Sequence, residues 1–199
     1  MYQYCFKRWM DFVLSSVALL LLLPLFILIA LAIKLDDGGP VLFRQKRMGR
    51  HKTSFYILKF RTMRTDTPHE MPTQLLPNPD RYITRIGRFL RKTSLDELPQ
   101  LLQIWTGKMS IIGPRPVLWN EEQLLALRDI LGANDVRPGL SGWAQINGRD
   151  ELSIEEKARL DGEYVRNISF AFDMKCIFAT AFKVLRCENV VEGQQSQHV

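Results

Sequence analysis

The most pronounced pattern in the chain is an apolar run over residues 12–33 that contains no charged side chain. It is longer than the roughly 20 residues that cross a bilayer as a helix. A cleaved secretory signal is disfavoured, because its apolar core is only about 7–15 residues long and a small-residue cleavage site would follow it. The pattern therefore predicts a membrane-embedded helix near the N-terminus.

Both flanks of this run are basic: Lys7 and Arg8 precede it, and Lys34 and a second basic stretch follow it. Segments rich in Lys and Arg stay on the cytoplasmic side, so the pattern favours both ends lying there. Pro24, near the middle, removes a backbone hydrogen bond and favours a bend. We predict a re-entrant helix-break-helix hairpin over residues 1–36, and an ordinary span with a proline kink remains the alternative.

Beyond the hydrophobic segment the pattern changes to short elements. Residues 41–47 and 55–63 place β-branched and aromatic residues between basic ones, which is typical of strands. Residues 66–80 hold four prolines and are predicted to form a surface loop. Apolar residues at helical spacing predict one helix over residues 81–90 and a second from about residue 98.

Two stretches punctuated by glycine and proline, residues 113–116 and 137–150, are predicted to be loops, the second close to a ligand. Residues 168–185 are mostly apolar, which suits either a core helix or a helix in a membrane interface. The whole pattern predicts a mainly helical α+β fold with interfacial amphipathic helices. We divide it into the hairpin over residues 1–36 and a globular domain over residues 37–199.

Length and charge limit the number of domains and the kind of partner that this chain can have. A chain of 199 residues accommodates one domain with its own core, but not two ordinary domains plus a membrane segment. The formal net charge is +6, and most acidic residues lie in the later part of the chain, so the first half is strongly basic. This asymmetry predicts an anionic partner. Three cysteines without a CxxC pair indicate neither a disulfide framework nor a thiolate metal site.

Two adjacent carboxylates, Asp96 and Glu97, stand in an otherwise basic stretch with the sequence TSLDELPQL. A capping box of Ser94 and Glu97 would explain them structurally, but Pro99 would then remove a hydrogen bond inside the helix. A helix with Asp96 as its N-cap places Pro99 in the first turn instead. An ionised Asp at that position can attack phosphorus to form an acyl phosphate. From spacing alone, capping is the commoner role.

Basic residues are the candidates for binding phosphate. Arg91 and the free amides of the helix start are expected to keep Asp96 ionised. Arg115 lies between two prolines, which pre-organise its guanidinium for bidentate phosphate contact. Lys59 and Arg149 complete a set suited to a phosphoryl group. For each of these except Arg115, a solvated surface or contact with anionic lipid is the alternative.

The order of motifs along the chain resembles that of a known family. A proline-centred apolar segment is followed by LKFRTM, TSLDELPQL, MSIIGPRP and VRPGLSGWAQINGR, and then by a phenylalanine-rich segment. This combination is similar to the bacterial sugar transferases, the small monotopic phosphoglycosyl transferases, over nearly the whole chain. The resemblance implies that Asp96 is catalytic rather than only a helix cap.

The resemblance also implies a reaction. Asp96 attacks the β-phosphorus of a UDP-sugar, UMP departs, and polyprenol (undecaprenyl) phosphate then attacks the phosphosugar-enzyme. Glu97 assists, and Mg²⁺ is the implied cofactor at this Asp-Glu pair. The family's basic motif positions are occupied by Lys59, Arg91, Arg115 and Arg149.

A location follows from the same resemblance. It implies a monotopic protein at the cytoplasmic face of the bacterial inner membrane, held by a re-entrant helix. Family members often have a serine before the membrane proline, where its hydroxyl helps to satisfy the broken helix. This chain has Leu23 there, so the bend at Pro24 is less well supported than the active site.

Two other classes of protein fit part of the pattern. Residues 38–65 contain eight Lys or Arg and no acidic residue, which suits a membrane-anchored nucleic-acid-binding protein. However, the basic residues form no recognisable binding motif and the central carboxylates would repel a phosphate backbone, so no nucleic-acid partner is expected. The other alternative is a membrane scaffold without catalysis. Release of UMP separates both classes from a transferase.

Overall fold

The first helix, α1, extends over Lys7–Asp37 and is preceded by a π-helical turn over Tyr2–Phe6. It ends where Gly38 adopts a left-handed conformation (φ 72°) and donates its amide to the carbonyl of Lys34 at 3.1 Å. Glycine adopts this conformation at little cost, so Gly38 ends the helix. The computed structural model describes residues 2–67, 79–148 and 151–186.

α1 continues without interruption through Pro24. The two separate helices that we expected on either side of this residue are therefore not found. A proline inside a helix removes one hydrogen bond and bends the helix more often than it ends it in an apolar setting. Within the described part of the chain, α1 is the one helix long and apolar enough to cross a membrane.

The two predicted strands are confirmed as an antiparallel hairpin. β1 covers Leu42–Met48 and β2 covers Ser54–Phe60, with Leu42 opposite Phe60 and Met48 opposite Ser54. The connection is a 3-10 turn over Arg50–Lys52, in which His51 and Lys52 both have positive φ angles.

The other elements are short helices and a second sheet. β3 (Ser110–Ile112) and β4 (Gly139–Ser141) form a parallel pair. A mainly helical α+β fold is thus confirmed. The helices are α2 (Arg85–Lys92), α3 (Leu101–Trp105), α4 (Glu122–Ile130), α5 (Trp143–Ile146), α6 (Ile154–Arg166) and α7 (Phe170–Leu185).

Two predicted helix starts are shifted. The helix expected over residues 81–90 begins as α2, because Thr84 caps it by accepting a hydrogen bond from the amide of Gly87 at 2.9 Å. The helix expected from about residue 98 begins as α3, three residues later. The predicted loop over residues 66–80 falls mostly on residues 68–78, which lie outside the described residues, and a 3-10 turn over Pro79–Tyr82 follows it.

One face of α1 packs against the rest of the molecule along most of its length. Ile29 and Ile33 form a core cluster with Phe60 of β2 and Leu90 of α2. Each fully buried aliphatic side chain of this kind contributes roughly 1.5–3 kcal/mol. A second cluster lies nearer the N-terminal end of α1, where Ala18, Leu19, Leu22 and Phe26 pack against Ile57, Leu101, Ile104 and Met109.

Polar contacts fix the N-terminal part of α1. Lys7 Nζ lies 2.5 Å from Asp173 Oδ2, and both side chains are buried. Tyr164 donates its hydroxyl to the other oxygen of Asp173 at 2.7 Å. The carboxylate of Asp11 accepts the backbone amide of Ile111 at 3.0 Å. Buried charges are stable only when they are paired and hydrogen-bonded, so this end of α1 has one defined position against α7 and β3.

The C-terminal end of α1 is fixed as well. The guanidinium of Arg61, just after β2, donates to both carboxylate oxygens of Asp37. The carboxylate of Asp36 accepts a hydrogen bond from the first turn of α2, through Ile86 N at 3.2 Å. A bidentate arginine-carboxylate pair gives geometric specificity as well as energy. Both ends of α1 are therefore attached to the same domain.

The opposite face of α1 is apolar and exposed. Leu20 and Leu21 are 75% exposed and Leu35 is 87% exposed. The predicted helix over residues 168–185 is confirmed as α7, and it too has two kinds of face. Asp173 and Cys176 are buried while Phe178 is 71% exposed. A monomeric soluble protein rarely exposes so much contiguous apolar surface.

Candidate active site

The two carboxylates lie in a 3-10 turn over Leu95–Gln100, between α2 and α3. Ser94, which precedes the turn, has a left-handed conformation (φ 57°) and its side chain makes no capping hydrogen bond. The predicted helix start is therefore wrong, because Asp96 is not the N-cap of an α-helix. The alternative is not found either, since the Ser94 side chain forms no capping box with Glu97. Pro99 has no amide to donate, so the chain keeps the tighter turn until α3 begins.

Asp96 and Glu97 are both buried, with exposures of 9% and 8%. Burial raises the pKa of the Asp96 carboxyl above its ordinary value, Lys59 lowers this pKa, and the charge of Glu97 raises it. We expected neighbouring cations and helix amides to keep this group ionised, and that expectation omitted the cost of removing a carboxylate from water. The ionised form of Asp96 therefore depends on the cations around it.

Two cations hold the carboxylate pair. Lys59 Nζ lies 2.7 Å from Glu97 Oε1 and 3.7 Å from Asp96 Oδ2. The guanidinium of Arg115 donates to Glu97, with Nη2 2.7 Å from Oε1 and Nη1 3.4 Å from Oε2. Charge-assisted hydrogen bonds are stronger than neutral ones, and a two-point contact also fixes direction. Glu97 thus brings two of the predicted phosphate-binding residues to the side of Asp96.

The loop that carries Arg115 is pinned to the second sheet. The amide of Gly113 donates to Ser141 O at 2.9 Å, and the amide of Gly139 donates to Pro114 O at 2.8 Å. These bonds extend the β3–β4 pairing beyond the strands themselves. The rigid loop predicted from its two prolines therefore has a backbone support that the sequence did not indicate.

Arg128 is a residue of the site that sequence analysis missed. Its Nη1 donates to the backbone carbonyl of Arg115 at 2.9 Å, and its Nε donates to Asp161 Oδ2 at 2.8 Å. The side chains of Arg128 and Asp161 are 6% and 1% exposed. They lie on α4 and α6, far apart in sequence, so no local motif indicates the pair. The contact connects the Arg115 loop to the helical part of the domain.

Of the two remaining residues predicted to bind phosphate, Arg91 and Arg149, only Arg91 lies in the described part of the chain. Arg91 lies on α2, and its Nε donates to Thr62 Oγ1 at 2.9 Å. Burial raises the pKa of Asp96 and the charge of Arg91 counters that effect, which places Arg91 within electrostatic reach. Thr62, which orients this arginine, was not identified from sequence. Arg149 lies outside the described residues.

The oxygen donors of the site suit a hard divalent cation. Asp96 and Glu97 offer carboxylate oxygens, and Mg²⁺ is usually held by one or two carboxylates together with substrate phosphates and water. Across residues 2–67, 79–148 and 151–186, no group of three or more His, Cys, Asp or Glu is placed to hold an ion alone. Asp96 and Glu97 are the residues that would offer oxygen ligands to such a cation.

The arrangement suits phosphoryl transfer. Asp96 offers a carboxylate oxygen as nucleophile. Lys59, Arg91 and Arg115 supply the positive charge that stabilises the equatorial oxygens of a transferring phosphoryl group. Burial of the carboxylates strengthens each of these electrostatic interactions.

Comparison with known proteins agrees with this chemistry. The family described as bacterial sugar transferase matches residues 2–187. A UDP-glucose:undecaprenyl-phosphate glucose-1-phosphate transferase of Escherichia coli (strain K12) is 44% identical over 184 residues, covering 89% of this chain and 39% of that protein. The uncharacterized sugar transferase EpsL of Bacillus subtilis (strain 168) is 42% identical over 194 residues, covering 97% of this chain and 92% of EpsL.

A third relative is the exopolysaccharide production protein ExoY of Rhizobium meliloti (strain 1021). It is 40% identical over 188 residues, covering 87% of this chain and 83% of ExoY. Coverage therefore differs between relatives, because the chain spans about two fifths of the Escherichia coli transferase (39%) but most of EpsL and ExoY. In each case the matched region covers most of this chain.

Proposed function

The chain belongs to the bacterial sugar transferase family, and from this premise we propose that it transfers a sugar 1-phosphate from a UDP-sugar to polyprenyl phosphate and releases UMP. The observation that carries the proposal is the buried Asp96-Glu97 pair held by Lys59 and Arg115. The Escherichia coli relative, which this chain matches over 39% of its length, is named for glucose 1-phosphate transfer to undecaprenyl phosphate. UDP-glucose and undecaprenyl phosphate are therefore the first substrates to test.

In the first step an Oδ atom of Asp96 attacks the β-phosphorus of the UDP-sugar. A bond from this oxygen to phosphorus forms, the bond from phosphorus to the bridging oxygen breaks, and UMP leaves with that oxygen. The product is a sugar phosphate attached to Asp96 as an acyl phosphate. Lys59 and Arg115 are placed to neutralise the charge that builds on the phosphate oxygens.

In the second step a phosphate oxygen of the polyprenyl phosphate attacks the same phosphorus. The bond between phosphorus and Asp96 breaks, a polyprenyl diphosphate sugar forms, and the carboxylate is restored. Glu97 accepts the proton that a singly protonated acceptor releases. Its hydrogen bonds with Lys59 and Arg115 place this proton-accepting carboxylate next to the cations that bind phosphate.

We propose Mg²⁺ as the cofactor, with Asp96 and Glu97 as the protein ligands. When bound, the ion would neutralise diphosphate charge and lower the barrier to departure of UMP. Arg115 and Lys59 contact Glu97 in this structure, and a bound ion would share the Glu97 carboxylate with these two cations.

The test of this function is release of UMP. Detergent-solubilised protein is incubated with Mg²⁺, undecaprenyl phosphate and a panel of UDP-sugars, with UDP-glucose first. We expect turnover with at least one sugar. Absence of UMP release with every sugar tested would overturn the proposal, because a nucleic-acid-binding protein and a scaffold both predict that result.

We further propose that the protein is monotopic, with both ends of α1 on the cytoplasmic face of the bacterial inner membrane. What supports this is that Lys7 pairs with Asp173 at one end of α1 and Asp37 pairs with Arg61 at the other. At about 1.5 Å per residue, the length of a 31-residue helix exceeds the roughly 30 Å thickness of the hydrocarbon core. A straight crossing would place its two ends on opposite sides, yet one domain contacts both.

This topology is testable with the native cysteine next to α1. Cys5 is exposed and Cys176 is buried, so replacing Cys187 by serine leaves Cys5 as the reactive thiol. We expect Cys5 to resist a membrane-impermeant thiol reagent in intact cells and to react after permeabilisation.

The control is a cysteine on the domain itself. Ile130 on α4 is 81% exposed, and Ile130→Cys in a chain lacking Cys5 and Cys187 should give the same pattern. Labelling of Cys5 from outside, while the thiol introduced by Ile130→Cys stays protected, would refute the monotopic arrangement and leave a conventional span without affecting the case for Asp96.

A further inference from the structure

An apolar groove adjoins the carboxylate cluster. It has a volume of about 390 Å³ and lies between the 3-10 turn of the active site, the β3–β4 sheet and α7. We call it the α7 groove. Its walls are mostly aliphatic, and they include Leu95 and Leu98 on one side and Ile177, Ala181 and Val184 on the other. Glu97 and Arg115 also line it, so the groove is continuous with the reacting centre.

The wall formed by α7 has a periodic order. Ile177, Ala181 and Val184 are four and three residues apart, which places them on one face of the helix. Phe178 and Phe182, also four residues apart, form the neighbouring stripe and are 71% and 52% exposed. The same helix thus bounds the groove and presents aromatic rings outward, as an element at a membrane interface does.

The charges in the groove are mostly positive. Its charged lining residues are Lys92, Arg115, Lys183 and Glu97, and Glu97 is paired with Arg115 and Lys59. A ligand that complements this lining has an anionic group and a long apolar part. A nucleotide sugar suits it less well than a lipid, because most of the lining is aliphatic and the few polar side chains, among them Ser141, Gln145 and Thr180, would leave many of its hydroxyls without a partner.

We infer that the α7 groove binds the polyprenyl phosphate acceptor, with its first isoprene units against the aliphatic walls and its phosphate near Arg115, Lys92 and Lys183. This inference rests on the proposed function and assigns the acceptor to one face of the reacting centre. The chain enters from the side of α7 that carries Phe178 and Phe182. Its phosphate then reaches the phosphorus attached to Asp96 without leaving the membrane interface.

Ala181→Phe tests the inference, because it adds a ring to the groove at an exposed position. We expect the KM for undecaprenyl phosphate to rise about tenfold or more, since an overpacked site excludes its ligand. The single release of UMP per enzyme with a UDP-sugar and no acceptor should be unchanged. The matched control is Ala171→Phe, the same change at an exposed position at the other end of α7, which should behave as the unsubstituted protein does.

Acceptor length gives a second measurement. The difference between the Ala181→Phe protein and the unsubstituted one should persist when the acceptor carries only its first few isoprene units, because those are the units placed against the groove walls. An unchanged acceptor KM would refute the inference. A raised KM for the UDP-sugar would also refute it and assign the groove to the donor. In both cases the unsubstituted protein still releases UMP, whereas failure of the proposed function leaves no UMP release to compare.

Discussion

We expect Asp96→Asn to abolish sugar phosphate transfer, with a loss of roughly 10³-fold or more. A carboxamide has nearly the shape of the carboxylate but offers no anionic oxygen to attack phosphorus. Lys59, 3.7 Å away, keeps its shorter contact with Glu97, so the surroundings of residue 96 should persist. The measurement is UMP release with UDP-glucose and undecaprenyl phosphate, accompanied by a thermal unfolding curve to show that the protein remains folded.

The control for this change is Asp135→Asn. The side chain of Asp135 is 70% exposed and contacts His51 on the surface, so the same chemical change there should leave turnover close to normal. A single release of UMP per enzyme by the Asp96→Asn protein would contradict the role of Asp96, because that release requires the nucleophile and no acceptor.

The second large effect is expected on stability. Arg128→Met should lower the free energy of unfolding by about 3–5 kcal/mol, because it leaves the carboxylate of Asp161 buried without its partner. Asp161 is 1% exposed. The same change removes the hydrogen bond to the carbonyl of Arg115, so turnover should fall as well. Denaturant unfolding and UMP release measure the two effects.

Two further variants test whether the loss of stability in the Arg128→Met protein comes from the unpaired charge of Asp161. Arg128→Met combined with Asp161→Leu removes the unpaired charge and should recover most of the lost stability. Arg159→Met breaks an exposed pair with Glu163 on α6 and should cost less than about 1 kcal/mol. If the Arg128→Met protein is no less stable than the Arg159→Met protein, the buried pair does not stabilise the fold in the way described.

Elements that depend on neighbouring residues could be predicted from the local sequence pattern. Strands β1 and β2 were predicted from β-branched and aromatic residues placed between basic ones, although their pairing as a hairpin was not. Lys59 and Arg115 were named from sequence as phosphate-binding candidates, but their contacts with Glu97 were not predicted. The family resemblance supplied the chemistry that joined them, because spacing alone left Asp96 as a possible cap.

The structural features that the sequence did not predict depend on contacts between residues far apart in the chain. Ser94 adopts a left-handed conformation at the junction between α2 and the 3-10 turn. The helix therefore does not start where the sequence predicted. The pairs Lys7–Asp173 and Arg128–Asp161 join residues 166 and 33 positions apart, and neither pair lies in a motif. The raised pKa of Asp96 comes first from burial, which is a property of the folded domain rather than of its neighbours in sequence.

The packing of α1 bears on how the protein can be handled in the laboratory. Ile29 and Ile33 complete a core cluster with Phe60 and Leu90, so deleting the helix to obtain a water-soluble form would remove a wall of the domain. Solubility has to come from the outward face instead. Polar substitutions at Leu20, Leu21, Leu28 and Leu35, which are all well exposed, would keep the core contacts while reducing the apolar surface that detergent has to cover.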